Sequence, residues 1–341
     1  MSRTTTKQGG GTKTSSFGVS KRESHDASEF YGSTMYNSLP KESESGEVNQ
    51  FPENLENRVF CADSRNMHDI PDNSVHLMVT SPPYNASKTY DDDLALSEYL
   101  DLLRGVFDEC YRVLVPGGRA CINVANLGRK PYIPLASFIN QIMIEIGFLP
   151  RGEIIWNKSA SAGVSCAWGS WKSASNPTLR DVHEYILVFS KGKFKLHRSR
   201  AEKEEGREDT VGKEDFIEWT KSIWSFPTES AKRVGHPAPF PVELPRRCVE
   251  MYTFTGDVVL DPFAGSGSTG IAAKQNGRRY LLFDISEEYC ELAEKRIVYV
   301  EAFSQQDRLC YRVSPSGNAD EDSQDSDGGI FEYVKQHRGS I

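Results

Sequence analysis

Two prolines in succession, Pro82-Pro83, follow directly on the apolar run Val75-His76-Leu77-Met78-Val79. The run reads as a buried strand. Each proline lacks an N–H and has a fixed φ, so neither can continue a sheet ladder. The chain must break at the strand end and hold a rigid loop there. That loop, Thr80-Ser81-Pro82-Pro83-Tyr84-Asn85, offers the Ser81 hydroxyl, the carbonyls flanking Pro82 and the ring of Tyr84. A planar base with an exocyclic amine needs acceptors for its N–H hydrogens and a plate to stack on. An ordinary proline turn would use the same residues only to bend, so a second motif has to decide.

That motif is a Gly-rich turn late in the chain. Val258-Val259-Leu260-Asp261 reads as a short strand, followed by Pro262-Phe263-Ala264-Gly265-Ser266-Gly267-Ser268-Thr269-Gly270 and a helical stretch from Ile271. Glycines between a strand and a helix let a ligand approach the backbone and meet free N–H groups. The spacing Gly265-x-Gly267-x-x-Gly270 also satisfies the dinucleotide pattern, weak by itself. Arg279-Tyr280-Leu281-Leu282-Phe283-Asp284 reads as the next strand, and an acid at its end can bind ribose hydroxyls. No lysine follows the glycines, which excludes a phosphate-cradling P-loop.

The two motifs together resemble amino-group DNA methyltransferases. Asp261 to Thr269 is similar to their S-adenosylmethionine motif, and Thr80-Ser81-Pro82-Pro83-Tyr84 to their catalytic motif. His236-Pro237-Ala238-Pro239-Phe240-Pro241 resembles the segment that closes the cofactor pocket. The order, catalytic motif first and cofactor motif last, resembles the permuted beta group, over roughly Asn57 to Phe303. Ser-Pro-Pro-Tyr is more typical of N4-cytosine enzymes, and Asp- or Asn-Pro-Pro-Tyr of N6-adenine enzymes. No Pro-Cys dipeptide occurs, which speaks against carbon-5 methylation through a cysteine. The resemblance implies Ser81, Pro82, Pro83 and Tyr84 as catalytic residues. It implies S-adenosylmethionine on Asp261, Phe263, Gly265, Gly267, Ser268 and Thr269, with Asp284 on the ribose, Asp63 near the adenine amine and His236 in the closing segment. Double-stranded DNA is the implied partner, with room for a cognate restriction endonuclease sharing the site.

Composition agrees with an intracellular enzyme. The seven cysteines, at 61, 110, 121, 166, 248, 290 and 310, form no C-x-x-C pair, against a zinc site or disulfide framework and for a reducing cytosol. No signal peptide or membrane-length apolar run is visible. The net charge of -8 is a poor guide to DNA binding, because Asp320, Glu321, Asp322, Asp325, Asp327 and Glu332 load the C-terminal tail.

Residues 1–50 are rich in Ser, Thr, Gly and Lys and read as a largely disordered tail, apart from an aromatic piece ending in Phe30-Tyr31, with Tyr36 beyond. Residues 51–310 read as the catalytic domain, and 311–341 as an acidic disordered tail. Within the domain, strands at Arg58–Asp63, Val75–Val79, Ala120–Val124, Glu153–Trp156, Glu184–Phe189, Val258–Asp261 and Arg279–Asp284 alternate with helices. The helices are expected at Ser97–Val115, Ile133–Ile146, Pro241–Tyr252 and Ser286–Phe303, the first stopped by Pro116-Gly117-Gly118. The alternation predicts an α/β, Rossmann-like fold, a mostly parallel sheet with helices on both faces. Ligands then bind outside the carboxyl ends of the strands, where loops about 180 residues apart can meet.

Two inserts, near 157–182 and 191–235, read as target recognition. Trp168, Trp171 and Lys172 lie among small polar residues in the first. The second opens with the basic run Lys191 to Arg200, in which Lys193, Lys195, Arg198 and Arg200 are expected to contact DNA phosphates. Trp168-Gly169-Ser170-Trp171 with Arg180-Asp181-Val182-His183-Glu184-Tyr185 is similar to methyltransferases of the tetranucleotide CTAG. Asn85 to Asp93 is a candidate lid. The alternatives are N6-adenine methylation, a nicotinamide-dependent oxidoreductase built on the glycine pattern, and a non-catalytic DNA-binding module. The second leaves Ser81 to Tyr84 without a role, and the intact catalytic motif weighs against the third.

Overall fold

A computed structural model describes residues 12–13, 25–26, 32–43, 46–84, 94–128, 131–158, 172–179, 181–229 and 240–304. Met1–Val300 form one compact unit; of the second, Glu301–Ile341, only the end of the last helix is described. Eight strands make the main sheet: β1 (Arg58–Cys61), β2 (Val75–Thr80), β3 (Leu114–Val124), β4 (Leu149–Asn157), β5 (His183–Ser190), β6 (Ile223–Ser225), β7 (Val258–Asp261) and β8 (Arg279–Asp284). Their order across the sheet is β1-β8-β7-β2-β3-β5-β4-β6. All neighbours are parallel except β3–β5 and β4–β5, so β5 alone is reversed. The expected mostly parallel α/β sheet is therefore present.

Strand side chains divide between the two faces with a two-residue period, offset in β2 where the register shifts between Val75 and Leu77. Val75 and Met78 face one layer, with Ile122, Leu260 and Leu281; helices α1 (Leu96–Val113) and α2 (Leu135–Ile146) cover it. Leu77 and Val79 face the other, with Cys121, Val259 and Leu282, beneath α5 (Glu243–Tyr252), α6 (Ser268–Gln275) and α7 (Glu287–Ser304). Short helices α3 (Arg200–Glu204) and α4 (Lys213–Trp219) lie between β5 and β6. Those helices and β6 add to the elements expected from the sequence. Three residues of strand carry too little periodicity to read, and β6 owes its place to Trp224, whose indole N–H donates to the Trp219 carbonyl at 2.9 Å.

The first helix ends at Val113, short of the expected Val115. Val115 precedes a proline and is pushed out of the helical region. Pro116-Gly117-Gly118 lies within β3, where the pairing with β2 shifts register between Val75 and Leu77. The inward face of α1 carries Tyr99, Leu103, Val106, Phe107, Cys110 and Val113, all buried, while Leu96 at its start remains exposed.

The reversed β5 decides where the basic run goes. Its end, Ser190, pairs with Arg119 at the amino side of β3, while its beginning, Tyr185, pairs with Val124 at the carboxyl side. Residues after Ser190 therefore emerge under the amino ends of the parallel strands, opposite the Ser81 and Gly265 loops. There Lys191 donates to the Asn73 side chain at 2.6 Å, and the Phe194 carbonyl accepts from Arg119 at 2.7 Å. Arg198 donates to the Arg207 carbonyl at 2.9 Å and pairs with Asp209, its guanidinium 4.3 Å from the Phe254 ring centre. Arg207 pairs at 2.7 Å with Asp257, which is buried at the foot of β7. Arg200 pairs with Glu204. Lys193 and Lys195 are exposed at the same end. The run thus underpins the end of the sheet opposite the catalytic loop. Glu42 and Ser43 pack there too, with Ser43 N–H on the Gly192 carbonyl and Phe194 N–H on the Glu42 carboxylate. The body thus begins before residue 51. Of the N-terminal aromatics, only Tyr36 lies among the described residues.

At the carboxyl end, β2 and β7 are neighbours, with Leu77 opposite Val259 and Met78 opposite Leu260. Asp261 closes β7 with no exposed surface. Its Oδ1 accepts from the Thr80 hydroxyl at 2.6 Å and the Phe263 N–H at 3.1 Å, and its Oδ2 accepts from the Thr269 hydroxyl at 2.6 Å. One carboxylate thereby ties the proline loop to the glycine loop. Burial pushes its pKa up to about 6, against the two threonine hydrogen bonds that favour the anion.

A folded pKa above the unfolded value means that stability from this group is full at low pH and is lost as pH rises through about 6. Asp261→Asn has no such loss. Thermal unfolding of both forms should show the variant's stability, relative to the parent, climbing between about pH 4 and about pH 6 and level above, by up to about 3 kcal/mol. A difference independent of pH would contradict a buried, titrating Asp261.

Candidate active site

The proline loop leaves β2 at Thr80, and Ser81 and Tyr84 fold back toward one another. Their hydroxyl oxygens are 3.1 Å apart. The loop meets β3 and β5 because Asn123 and Glu184 stand at the adjoining strand ends. Glu184 Oε2 accepts from Asn123 Nδ2 at 2.6 Å and from the Tyr84 hydroxyl at 3.3 Å, and its Oε1 accepts from Lys158 Nζ at 2.6 Å. Asn123 Nδ2 is also 3.4 Å from both the Ser81 and the Tyr84 hydroxyl oxygens. Burial, with the Glu184 anion beside it, pushes the Tyr84 phenol well above the ordinary tyrosine value, so it is a proton-bearing hydroxyl at any working pH. Asn123, Lys158 and Glu184 are additions to the site residues expected from the motifs. A signal existed: Asn123 interrupts Ala120-Cys121-Ile122-Asn123-Val124, and Glu184 opens an otherwise apolar strand. The reversal of β5, which brings them together, has no local signature.

Beside this cluster, across the β2–β7 pair, lies the glycine loop. Gly265 and Gly267 both have left-handed backbone, φ 48° and φ 78°, which a side chain would strain. A Cβ on Gly267 would stand 2.8 Å from the Ala293 Cβ of α7, so the close packing of α6 on α7 requires glycine there. Gly267 caps α6, which starts at Ser268, three residues before the expected Ile271. Asp284 closes β8 and accepts from Gly265 N–H at 2.8 Å and Ser286 N–H at 2.9 Å. Burial raises its pKa, opposed by those backbone hydrogen bonds.

The other expected cofactor residues divide. Phe263 is half-buried against the core, and Thr269 and Ser268 are buried. Asp261, expected at the methionine end of the cofactor, has both oxygens held by the protein. Ser268 donates to the Phe240 carbonyl at 3.0 Å, which anchors the end of the His236–Pro241 segment on the glycine loop. His236 itself, Trp168, Trp171, Arg180 and the lid Asn85–Asp93 lie outside the described residues. Asp63 follows β1 at the same sheet end, where Ala62 N–H donates to the Asp284 carbonyl at 2.9 Å. It is exposed and paired with Arg65 at 2.5 Å, whose hydrogen bonds lower its pKa. Lys172 is exposed, with left-handed backbone at φ 54°. Pro82 is buried and Pro83 half-buried. Among the described residues no cluster of three or more His, Cys, Asp or Glu could hold a metal, and no helix is long and apolar enough to cross a membrane.

The arrangement is a polar hydroxyl pocket and a glycine cradle side by side. A type II methyltransferase of Methanocaldococcus jannaschii, M.MjaI, is 31% identical over 280 residues, covering 70% of this chain and 90% of its own. The structure of a Thermus thermophilus DNA modification methylase complexed with S-adenosyl-L-methionine aligns at TM-score 0.57 and 33% identity, over 71% of this chain and 93% of that one. The PvuII cytosine-N4-specific DNA methyltransferase, at 19% identity and TM-score 0.55 over 75% of this chain and 96% of its own, shares the fold. The N6/N4 DNA methylase profile matches residues 75–295, from the first residue of β2 into α7. The chain belongs to the N6/N4 family of S-adenosylmethionine-dependent DNA methylases.

Proposed function

We propose that the chain methylates the N4 amine of cytosine in double-stranded DNA, with the target base flipped out of the helix at a cost of a few kcal/mol. The observation that carries this reading is Ser81, an uncharged hydroxyl at the carboxyl end of β2, one strand from the glycine loop. The amine lone pair is conjugated with the ring and is a poor nucleophile. Ser81 Oγ and the Pro82 carbonyl accept the two amine hydrogens, draw the nitrogen toward tetrahedral geometry and free the lone pair for in-line attack. Cytosine is preferred because Ser-Pro-Pro-Tyr resembles the catalytic motif of N4-cytosine enzymes, where adenine enzymes more typically carry Asp or Asn at the position of Ser81. The Tyr84 ring stacks on the base, worth about 1–3 kcal/mol. Catalysis is then positioning and electrostatics.

S-adenosylmethionine, when bound, supplies an electrophilic methyl group. The residues at this end suit it: Gly265 and Gly267 keep side chains out of the cradle, and Asp284 is fixed by two backbone N–H groups. Each Asp284 oxygen keeps a lone pair for a ribose hydroxyl. Asp63 addresses the adenine amine. DNA approaches the carboxyl ends of the strands, and Trp168, Trp171 and Lys172 are assigned to its recognition on the resemblance of the motifs. The permuted beta-type order, CTAG as the target, a cytoplasmic location and a restriction partner belong to the same proposal, on the resemblance of the motifs.

Four outcomes test the assignment. Nucleoside analysis of DNA methylated by the protein should yield N4-methylcytosine, and N6-methyladenine as sole product would overturn the base. Ser81→Ala should slow methyl transfer by about 100-fold or more while calorimetry shows S-adenosylmethionine binding retained; Asp284→Ala should instead weaken that binding. Neutralising Lys193, Lys195 and Arg200 together should leave the salt dependence of DNA affinity unchanged. A loss of about 0.9 in log–log slope per residue would return that run to the DNA face.

A further inference from the structure

The cluster around Glu184 has a fixed hydrogen-bond direction. Glu184 is 9% exposed, and Lys158 lies 2.6 Å from its Oε1 as counter-charge. An ionised carboxylate only accepts. The Tyr84 hydroxyl therefore commits its single hydrogen to Oε2, 3.3 Å away. Its oxygen is left as the acceptor for Ser81, at 3.1 Å. With its own hydrogen on Tyr84, and Asn123 Nδ2 only at 3.4 Å, Ser81 keeps a lone pair for a donor outside the cluster. The Asn123 amide is oriented by the same rule. Its NH2 must face the carboxylate, which leaves its buried Oδ1 without a partner among the described residues. Such an unmet buried acceptor is costly, a sign that the cluster is not arranged for stability alone.

We propose that Glu184 is a positioning residue that turns the Ser81–Tyr84 hydroxyl pair toward an incoming exocyclic amine and is the final acceptor of the proton that this amine sheds. The proposal rests on the methyl-transfer reading above and applies to the amine of either cytosine or adenine. As the nitrogen–carbon bond forms and the sulfur–carbon bond breaks, positive charge falls on the nitrogen. One N–H proton then passes to Ser81 Oγ, the Ser81 proton to Tyr84 Oη, and the Tyr84 proton to Glu184 Oε2. The nitrogen ends neutral, both hydroxyls regain a hydrogen, and the carboxylate is protonated. Lys158 favours its return to the anion. The titratable groups facing Glu184 are Lys158 at the end of β4 and Tyr84 from the proline loop, with Tyr99 of α1 acting on Tyr84 from behind.

Single-turnover methylation of duplex DNA by the full chain tests this, with Glu184→Gln, Glu184→Asp, Tyr84→Phe and the Glu184→Gln/Tyr84→Phe double variant. Glu184→Gln and Tyr84→Phe should each slow transfer by about 100-fold with S-adenosylmethionine affinity unchanged by calorimetry. The double variant should be no slower than the slower single one, because both break the same chain. Glu184→Asp should recover part of the rate. Multiplicative losses in the double variant, or Glu184→Gln within about twofold of the parent, would overturn the relay. If Glu184→Gln fails to fold, Tyr84→Phe decides, since it leaves no unpaired charge: a parental rate overturns the relay and a slowed one upholds it. The identity of the labelled base, read in the same reactions, tests the cytosine assignment separately.

Discussion

The Asp261 carboxylate sits out of solvent between two threonine hydroxyls, one from a residue 181 positions earlier and one from a residue eight positions later. Burying a carboxylate is costly unless its lone pairs are met. Here Thr80 at the end of β2, the Phe263 N–H in the glycine loop and Thr269 in the first turn of α6 meet them. The loops cannot separate without stranding the charge. A pocket for an amine and a cradle for a methyl donor are thus held at fixed spacing by a group that need touch neither ligand.

The reversed strand β5 organises the rest. Its beginning delivers Glu184 to the reactive end, and its end delivers the basic run to the far side. Arg198 and Arg207 both stack on Phe254 there, with centroid distances of 4.3 and 4.9 Å. His76, whose Nδ1 accepts from Val258 N–H at 3.2 Å, lies with its other ring nitrogen 3.5 Å from Asp257. Burial lowers its pKa, so the ring is neutral and Arg207 is the cation that balances Asp257.

Much of this was legible in the sequence. Prolines and glycines punctuate strand ends by backbone geometry, so the loops at Ser81 and Gly265, their motif order and the alternating α/β pattern could be read before any coordinates. What was not legible depends on direction and pairing. Charge density marks Lys193 to Arg200 as basic but not which end of the sheet they reach. Asp261 reads as a ligand-facing acid because sequence gives no hint of the two threonines that enclose it. Glu184, Asn123 and Lys158 lie on three different strands or strand ends, and only the antiparallel insertion of β5 makes them one cluster.

The adjacency of β2 and β7 also sets an order of events during synthesis. Leu77 pairs with Val259, 182 residues later (259 − 77). Chains emerge amino end first, and closing so long a loop is slow compared with forming local contacts. Until β7 is made, β2 can pair only with β3, and one side of what becomes a central strand is an open edge. Thr80 waits with it, its hydroxyl partner not yet translated. The nascent protein therefore carries this strand unpaired on one side through the synthesis of more than half its length, the interval in which exposed edges invite mispairing.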